Sequence, residues 1–167
     1  MRVAVTGTPG TGKTTAVEQV ETDLDVIHLN EVIKREGFDT GRDDQRGSLV
    51  ADMDALGEWL GDRDALVESH LAHHFPADRV IVLRCHPDDL ESRLTERGES
   101  AEKAHENAEA EALDVVLSEA VANHGRDSVY ELDTTDRTPD EVATEIEAVI
   151  AGEREPSAGT VDFIGWL

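Results

Sequence analysis

An α/β fold built on a parallel sheet is what this sequence predicts, and three observations predict it. A valine-rich segment, residues 2–6, runs straight into a glycine-rich turn; further short apolar segments follow; and helical patterns separate most of them. Strands of a parallel sheet are covered by helices on both faces, so they read as short apolar runs, and the crossovers that join them are right-handed. At 167 residues the chain is long enough for one domain with a substantial core and too short for two.

Residues 2–6 alternate little in polarity, which suits a central strand. Four more strands are expected at 26–29, 66–68, 80–84 and 129–132. The first helix, 13–20, begins directly under the glycine turn. Pro87 stands at a natural first-turn position for a helix over 88–97 that Gly98 ends. One long helix is expected over 101–123, with Ala104, Ala108, Leu113, Val116, Leu117, Ala120 and Val121 on one face and Gly125 as a left-handed C-cap. Thr138 and Pro139 read as cap and first residue of a last helix to residue 151, and Glu141 is placed to close a capping box on Thr138. Residues 153–159 read as linker. The apolar tail 160–167 is expected to fold back on the sheet or stay loose, with a docking peptide for a partner as a second reading.

The chain carries 38 acidic and 15 basic residues, a net charge of -23, and its only lysines are Lys13, Lys34 and Lys103. So acidic a surface repels phosphate backbones and anionic lipid, which excludes a default nucleic-acid binder and argues against DNA or membrane partners. It also repels itself unless salt screens it. At roughly 1 M salt the Debye length is about 3 Å, so a high-salt cytosol is the expected setting. The single cysteine, Cys85, allows no internal disulfide and reads as core rather than nucleophile. No signal peptide is visible and the apolar runs are short, so a soluble cytoplasmic protein is expected.

The chemistry sits in residues 7–14, Gly-Thr-Pro-Gly-Thr-Gly-Lys-Thr, which meet Gly-x-x-x-x-Gly-Lys-Ser/Thr at every fixed position between a strand and a helix. Gly7, Gly10 and Gly12 let successive backbone N–H groups turn inward around phosphate oxygens, and the following helix offers its positive end. Lys13 is placed to reach the β and γ phosphates, Thr14 to hold Mg2+ through the nucleotide, and Thr15 to add a hydroxyl near the α phosphate. ATP with Mg2+ is therefore the expected cofactor pair. No Asn-Lys-x-Asp base-reading motif of a GTPase occurs, and the strand that should end in Asp for a motor or helicase ends in Glu68. A small chain with this loop near residue 10 instead looks like a nucleoside monophosphate kinase.

Arg93 and Arg97 lie four apart on one helix face, where like charges repel unless an anion sits between them. Guanidinium forks there suit a transferring phosphoryl group. The spacing alone equally fits a solvated ion-pair face, since Asp89 and Glu96 flank Arg93. Arg35, Arg42 and Arg46 lie around the second strand, where an acceptor monophosphate is expected. His70, His73 and His74 share a helix-like spacing, but nothing near them gives the paired spacing of a structural zinc site, and no metal is expected there.

Four segments carry a more specific resemblance: the loop GTPGTGKTT, His28-Leu29-Asn30 followed by a short charged helix, Glu68-Ser69-His70 running to Phe75-Pro76, and Arg93 to Gly98 followed by Asn107 and Glu111. Together they resemble the small adenylate kinase subfamily of archaea and eukaryotic nuclei over nearly the whole chain to about Gly152. The resemblance implies a three-layer P-loop fold with a five-stranded parallel sheet, one domain over 1–167, a monophosphate-binding segment at 30–51 and a lid at 97–107. It implies broad-specificity transfer from ATP to monophosphates, AMP favoured, with Asn30, Arg35 and Arg46 on the acceptor and Lys13, Arg93 and Arg97 on the transferring group. It also implies ATPase activity and a role in late maturation of the small ribosomal subunit and its rRNA, through a basic ribosomal protein that an acidic surface can shield. Where relatives commonly carry Asp, an aromatic and His, this sequence has Glu68, Ser69 and His70. A glutamate can still orient a magnesium-bound water, and His70 can position a water or hydroxyl near the γ phosphate. Two other readings fit the loop: an assembly ATPase whose kinase activity is incidental, and a P-loop kinase of another small metabolite.

Overall fold

A computed structural model describes residues 1–43 and 48–167. Five strands, β1 (Arg2–Thr6), β2 (Asp25–His28), β5 (Ala65–Glu68), β6 (Arg79–Arg84) and β7 (Val129–Asp133), form one parallel sheet in the order β2-β5-β1-β6-β7. A hairpin of β3 (Asp39–Asp43) and β4 (Ser48–Ala51) stands apart from it. The helices are α1 (Lys13–Glu18), α2 (Leu29–Glu36), α3 (Met53–Leu60), α4 (Pro87–Glu96), α5 (Ala101–Ala112), α6 (Val115–His124) and α7 (Pro139–Ile150).

The central strand divides its side chains between two cores, as a strand buried on both faces must. Val3 and Val5 pack with Ala16 and Val17 of α1 and Val142, Ile146 and Val149 of α7. Ala4 faces the other way, toward Leu29, Val32 and Ile33 of α2, Leu56 and Leu60 of α3, and Leu117 and Ala120 of α6. Each such fully buried Val, Leu or Ile contributes about 1.5–3 kcal/mol. The result is a three-layer P-loop fold with helices on both sides of a five-stranded parallel sheet. A third cluster joins Cys85 to Leu90 and Leu94 of α4 and to Ala104 and Ala108 of α5. Among the described residues no helix is long and apolar enough to cross a membrane.

The long helix expected over 101–123 is two helices. Asp114 takes a left-handed conformation, φ 57°, at the start of α6. The cause lies on β6. Arg84, 1 % exposed, brings its Nη2 to the carboxylate of Asp114 (2.6 Å) and to the carbonyl of Glu111 (3.0 Å), which also accepts from Asp114 N–H at 3.1 Å, so the guanidinium holds a tightened last turn in place of a continuing helix. The break redirects α6, so Leu117 and Ala120 reach the sheet while Leu113, expected in the core, is left 53 % exposed. Gly125 has positive φ but extended ψ (84°, 152°), not the left-handed cap expected of it. Of the capping box on Thr138 one half forms: its Oγ1 accepts from Glu141 N–H at 3.2 Å, while the Glu141 carboxylate meets that same hydroxyl at 3.3 Å instead of the Thr138 N–H.

The hairpin and α3 were not foreseen, although Asp52 caps α3 by accepting from Ala55 N–H at 3.1 Å. The tail folds back. Ser157 N–H donates to the carbonyl of Val129 at 3.0 Å, Gly159 and Thr160 N–H both donate to Glu131 Oε1, and Trp166 packs on the α4–α5 cluster with its Nε1 donating to Asp88 at 2.7 Å.

Candidate active site

The carboxyl ends of β1 and β5 lie side by side, with Val5 opposite Glu68 and Glu68 opposite His28, and the loop after β1 opens directly into α1. Two glycines of that loop are fixed by space. A Cβ on Gly7 (φ 151°) would lie 2.7 Å from the Leu83 carbonyl oxygen, and one on Gly10 (φ 95°) 3.0 Å from Leu94 Cγ of α4. A side chain at Gly7 would clash with the β6 backbone and one at Gly10 would crowd Leu94, and both positions have the positive φ that favours glycine.

Lys13 is folded back into the loop. It is 8 % exposed, and its Nζ donates to the carbonyls of Gly7 (2.9 Å) and Thr8 (3.1 Å). Burial lowers its pKa to about 8, with Glu68 and Glu111 opposing the shift, so the ammonium is still charged at neutral pH. Beside it, Thr14 Oγ1 donates to Glu68 Oε1 at 2.5 Å, and His28 Nδ1 lies 3.3 Å from the same oxygen. A hydroxyl and a nearly buried carboxylate in contact are hard oxygen donors of the type that holds Mg2+ directly or through water.

His70 follows β5 by two residues. Burial first, then the charge of Lys13, lowers its pKa to about 4, so it presents a neutral imidazole at working pH. Ser69 Oγ donates to Asn30 Oδ1 at 3.0 Å and holds that amide at the mouth of the same cleft. From the far wall Arg93 Nη1 donates to the Gly10 carbonyl at 3.3 Å, and Arg97, at the end of α4, faces the same space. Among the described residues Arg93 pairs with neither Asp89 nor Glu96, so the solvated ion-pair face is not what forms. The cleft, about 580 Å³, thus collects Gly10, Gly12, Lys13, Thr14, Thr15, Asn30, Glu68, His70, Arg93 and Arg97. It can hold a polyphosphate against an ammonium, two guanidiniums and a metal-binding oxygen pair.

Arg35 lies elsewhere. It is an exposed residue of α2, 3.2 Å from Glu36, and it is not part of the cleft wall. Arg46 and the side chain of Arg42 lie outside the described residues. Cys85 is fully buried, and burial pushes its thiol up to about 11, which leaves it a core residue.

Two features escaped the sequence reading. A smaller depression of about 280 Å³ shares Gly12, Thr15 and Arg93 with the cleft and continues toward Thr134, Arg137 and Val142. The pair Thr134-Thr135, just past the last strand, was the available signal. Beneath the loop, Glu111 accepts from Thr8 Oγ1 (2.9 Å), Cys85 N–H (2.8 Å) and Arg84 Nε (3.2 Å), so the phosphate loop is braced from α5 and β6.

Comparison with known proteins agrees with this geometry. The AAA domain family matches residues 3–114. Three archaeal proteins carrying the name "Putative adenylate kinase" are similar over almost their whole length. That of Natronomonas pharaonis is 72 % identical (98 % of each chain covered), that of Halobacterium salinarum 58 % (100 % of each), and that of Methanothermobacter thermautotrophicus 47 % (99 % of this chain, 98 % of the other). A crystal structure described as a sugar kinase from Janibacter sp. shares the fold, with a TM-score of 0.55 at 20 % identity over 90 % of this chain and 94 % of that one. A chain so fully matched by its relatives belongs with them, among the archaeal adenylate kinases, as a P-loop protein of the AAA domain type.

Proposed function

We propose that this protein is a nucleoside monophosphate kinase that moves the γ-phosphoryl group of Mg-ATP to a monophosphate, AMP favoured, giving two diphosphates. The observation that carries the reading is the one cleft in which Lys13, the Thr14–Glu68 pair, Arg93 and Arg97 converge. Lys13 exchanges its loop carbonyls for phosphate oxygens without leaving the loop. Thr14 and Glu68 supply the oxygens for the nucleotide's Mg2+, Glu68 through water. Arg93 and Arg97 neutralise the charge that spreads over the phosphoryl oxygens during transfer, and no covalent intermediate is needed.

The depression lined by Thr134 and Arg137 is the proposed seat of the nucleoside half of ATP, since it continues from Gly12 and Thr15. The acceptor belongs on the Asn30 side, with Arg35 and Arg46 of the monophosphate-binding segment 30–51 proposed as the partners of its phosphate and the lid at 97–107 as the part that excludes water. The whole chain, 1–167, is one kinase domain in this reading, with residues 153–167 as its tail.

ATP hydrolysis is a second proposed activity. Its support is His70, a neutral imidazole in the cleft next to Glu68 and able to orient a water. The partner reading, a basic small-subunit ribosomal protein met in the cytoplasm during late subunit maturation, rests on the family resemblance and on a net charge of -23. The test is to supply Mg-ATP with each common monophosphate in turn, in molar KCl. Diphosphate formation stimulated strongly by AMP supports the kinase, and a rate indifferent to every monophosphate supports the hydrolase or another acceptor.

A further inference from the structure

Between β5 and β6 the chain makes one 3-10 turn, Ala72–His74, that carries two adjacent histidines. His73 is 1 % exposed and its Nδ1 lies 2.7 Å from Thr6 Oγ1, at the end of β1. Its other nitrogen, Nε2, is buried without a hydrogen-bond partner, the one side-chain nitrogen or oxygen so placed among the described residues. Native proteins rarely keep such an atom without a reason.

That nitrogen faces Glu119 of α6. His73 Nε2 lies 3.6 Å from Glu119 Oε1, His74 Nε2 lies 3.7 Å from Glu119 Oε2, and one ligand atom from each of the three residues falls within 4.8 Å of the others. Gaps of 3.6 and 3.7 Å are too long for hydrogen bonds and too short for a bridging water, which spans roughly 4.5 Å. Each gap, measured to a different oxygen of the one carboxylate, is close to the edge of a coordination tetrahedron, about 3.3 Å for metal–ligand bonds of 2.0–2.1 Å. We propose that His73, His74 and Glu119 form a binding site for a divalent transition-metal ion of the zinc class, with its fourth position open to water.

The donor set selects the ion. Two imidazole nitrogens and one carboxylate suit Zn2+ and its neighbours, whereas Mg2+ prefers an octahedron of oxygens. The supporting groups are also present. The Thr6 hydroxyl can accept from His73 Nδ1–H, and in that tautomer Nε2 carries the lone pair a metal needs. Asn123 Nδ2 (3.1 Å) and His124 Nε2 (2.8 Å), both from α6, hold the His73 carbonyl and so fix the backbone of the turn. His74 and Glu119, 32 % and 43 % exposed, give the ion a way in. A bound ion ties the β5–β6 connection to α6 next to Thr6, the residue before the phosphate loop, and is separate from the Thr14–Glu68 pair. Sequence spacing could not show this, because the third ligand comes from a distant helix.

The test uses the full chain, stripped with chelator and free of nucleotide, titrated with Zn2+ alone by calorimetry and with Co2+ by visible absorption. One equivalent of Zn2+ is expected with a Kd of about 10 µM or tighter, with intense four-coordinate Co2+ bands and a rise in Tm of roughly 5 °C at hundredfold excess over Kd. His74→Ala and Glu119→Ala change partly exposed side chains and keep the metal-free Tm near wild type, so loss of binding by more than tenfold in both reads the site itself. His105→Ala, at an unrelated histidine–carboxylate cluster on α5, leaves binding unchanged. Binding weaker than this Kd, or one equivalent that survives either His74→Ala or Glu119→Ala, overturns the proposal.

Discussion

Arg84 is buried at 1 % exposure with Nε 3.2 Å from Glu111, Nη1 2.8 Å from Glu131 and Nη2 2.6 Å from Asp114. One guanidinium therefore serves three carboxylates, and the rest of their charge is met by N–H and O–H donors from Thr8, Cys85, Gly159 and Thr160. Replacing Arg84 by Met leaves buried carboxylates without a cation, and a loss of about 3–5 kcal/mol in unfolding free energy is expected from denaturant titration. Lys13 gives a second prediction at this scale. Its charged form binds phosphate and is lost as pH rises through about 8, so kcat/KM for Mg-ATP falls above that pH, while kcat, measured with the phosphates bound, falls later. His70 stays neutral down to about 4, so the same pH–rate profile shows no inflection near 6.5 from this residue. The phosphate loop and its lysine were readable from sequence because the motif is local. The brace under it was not, because Arg84 looks like any strand-ending arginine until residues 111, 114 and 131 are folded around it.

Elements show the same division. The strands β1, β5, β6 and β7 and the caps at Pro87 and Thr138 were legible within a residue or two, since apolar runs and capping chemistry are written in neighbouring positions. The break between α5 and α6 was not: helical periodicity runs through Leu113 and Asp114, and a tertiary contact from β6 overrides it. The β3–β4 hairpin was missed because its residues are charged, glycine-rich and weakly alternating. The tail contributes N–H donors to the Glu131 carboxylate and sets Trp166 against α5 and against α4, which carries Arg93. Deleting residues 157–167 is expected to cost about 2–4 kcal/mol by removing those donors and that apolar cover, read as a lower denaturant midpoint. Unchanged stability would mark the tail as a bystander.

At the scale of the whole molecule, the sheet order places the phosphate loop of β1 beside the acidic end of β5, which assembles the site from segments more than fifty residues apart in sequence. Charge acts at this scale too. With a net charge of -23, self-repulsion weakens the fold at low ionic strength, and Tm is expected to rise by roughly 5 °C or more between 0.1 and 2 M KCl as the Debye length shrinks from about 10 Å to under 3 Å. Transfer between nucleotides across one cleft is read out by following a label on the γ-phosphate of ATP, in molar KCl, with and without AMP and beside Lys13→Ala. Label is expected in ADP only when AMP is present, with loss of about a hundredfold or more in Lys13→Ala. Label released as inorganic phosphate at the same rate with or without AMP, or transfer unchanged in Lys13→Ala, would contradict it.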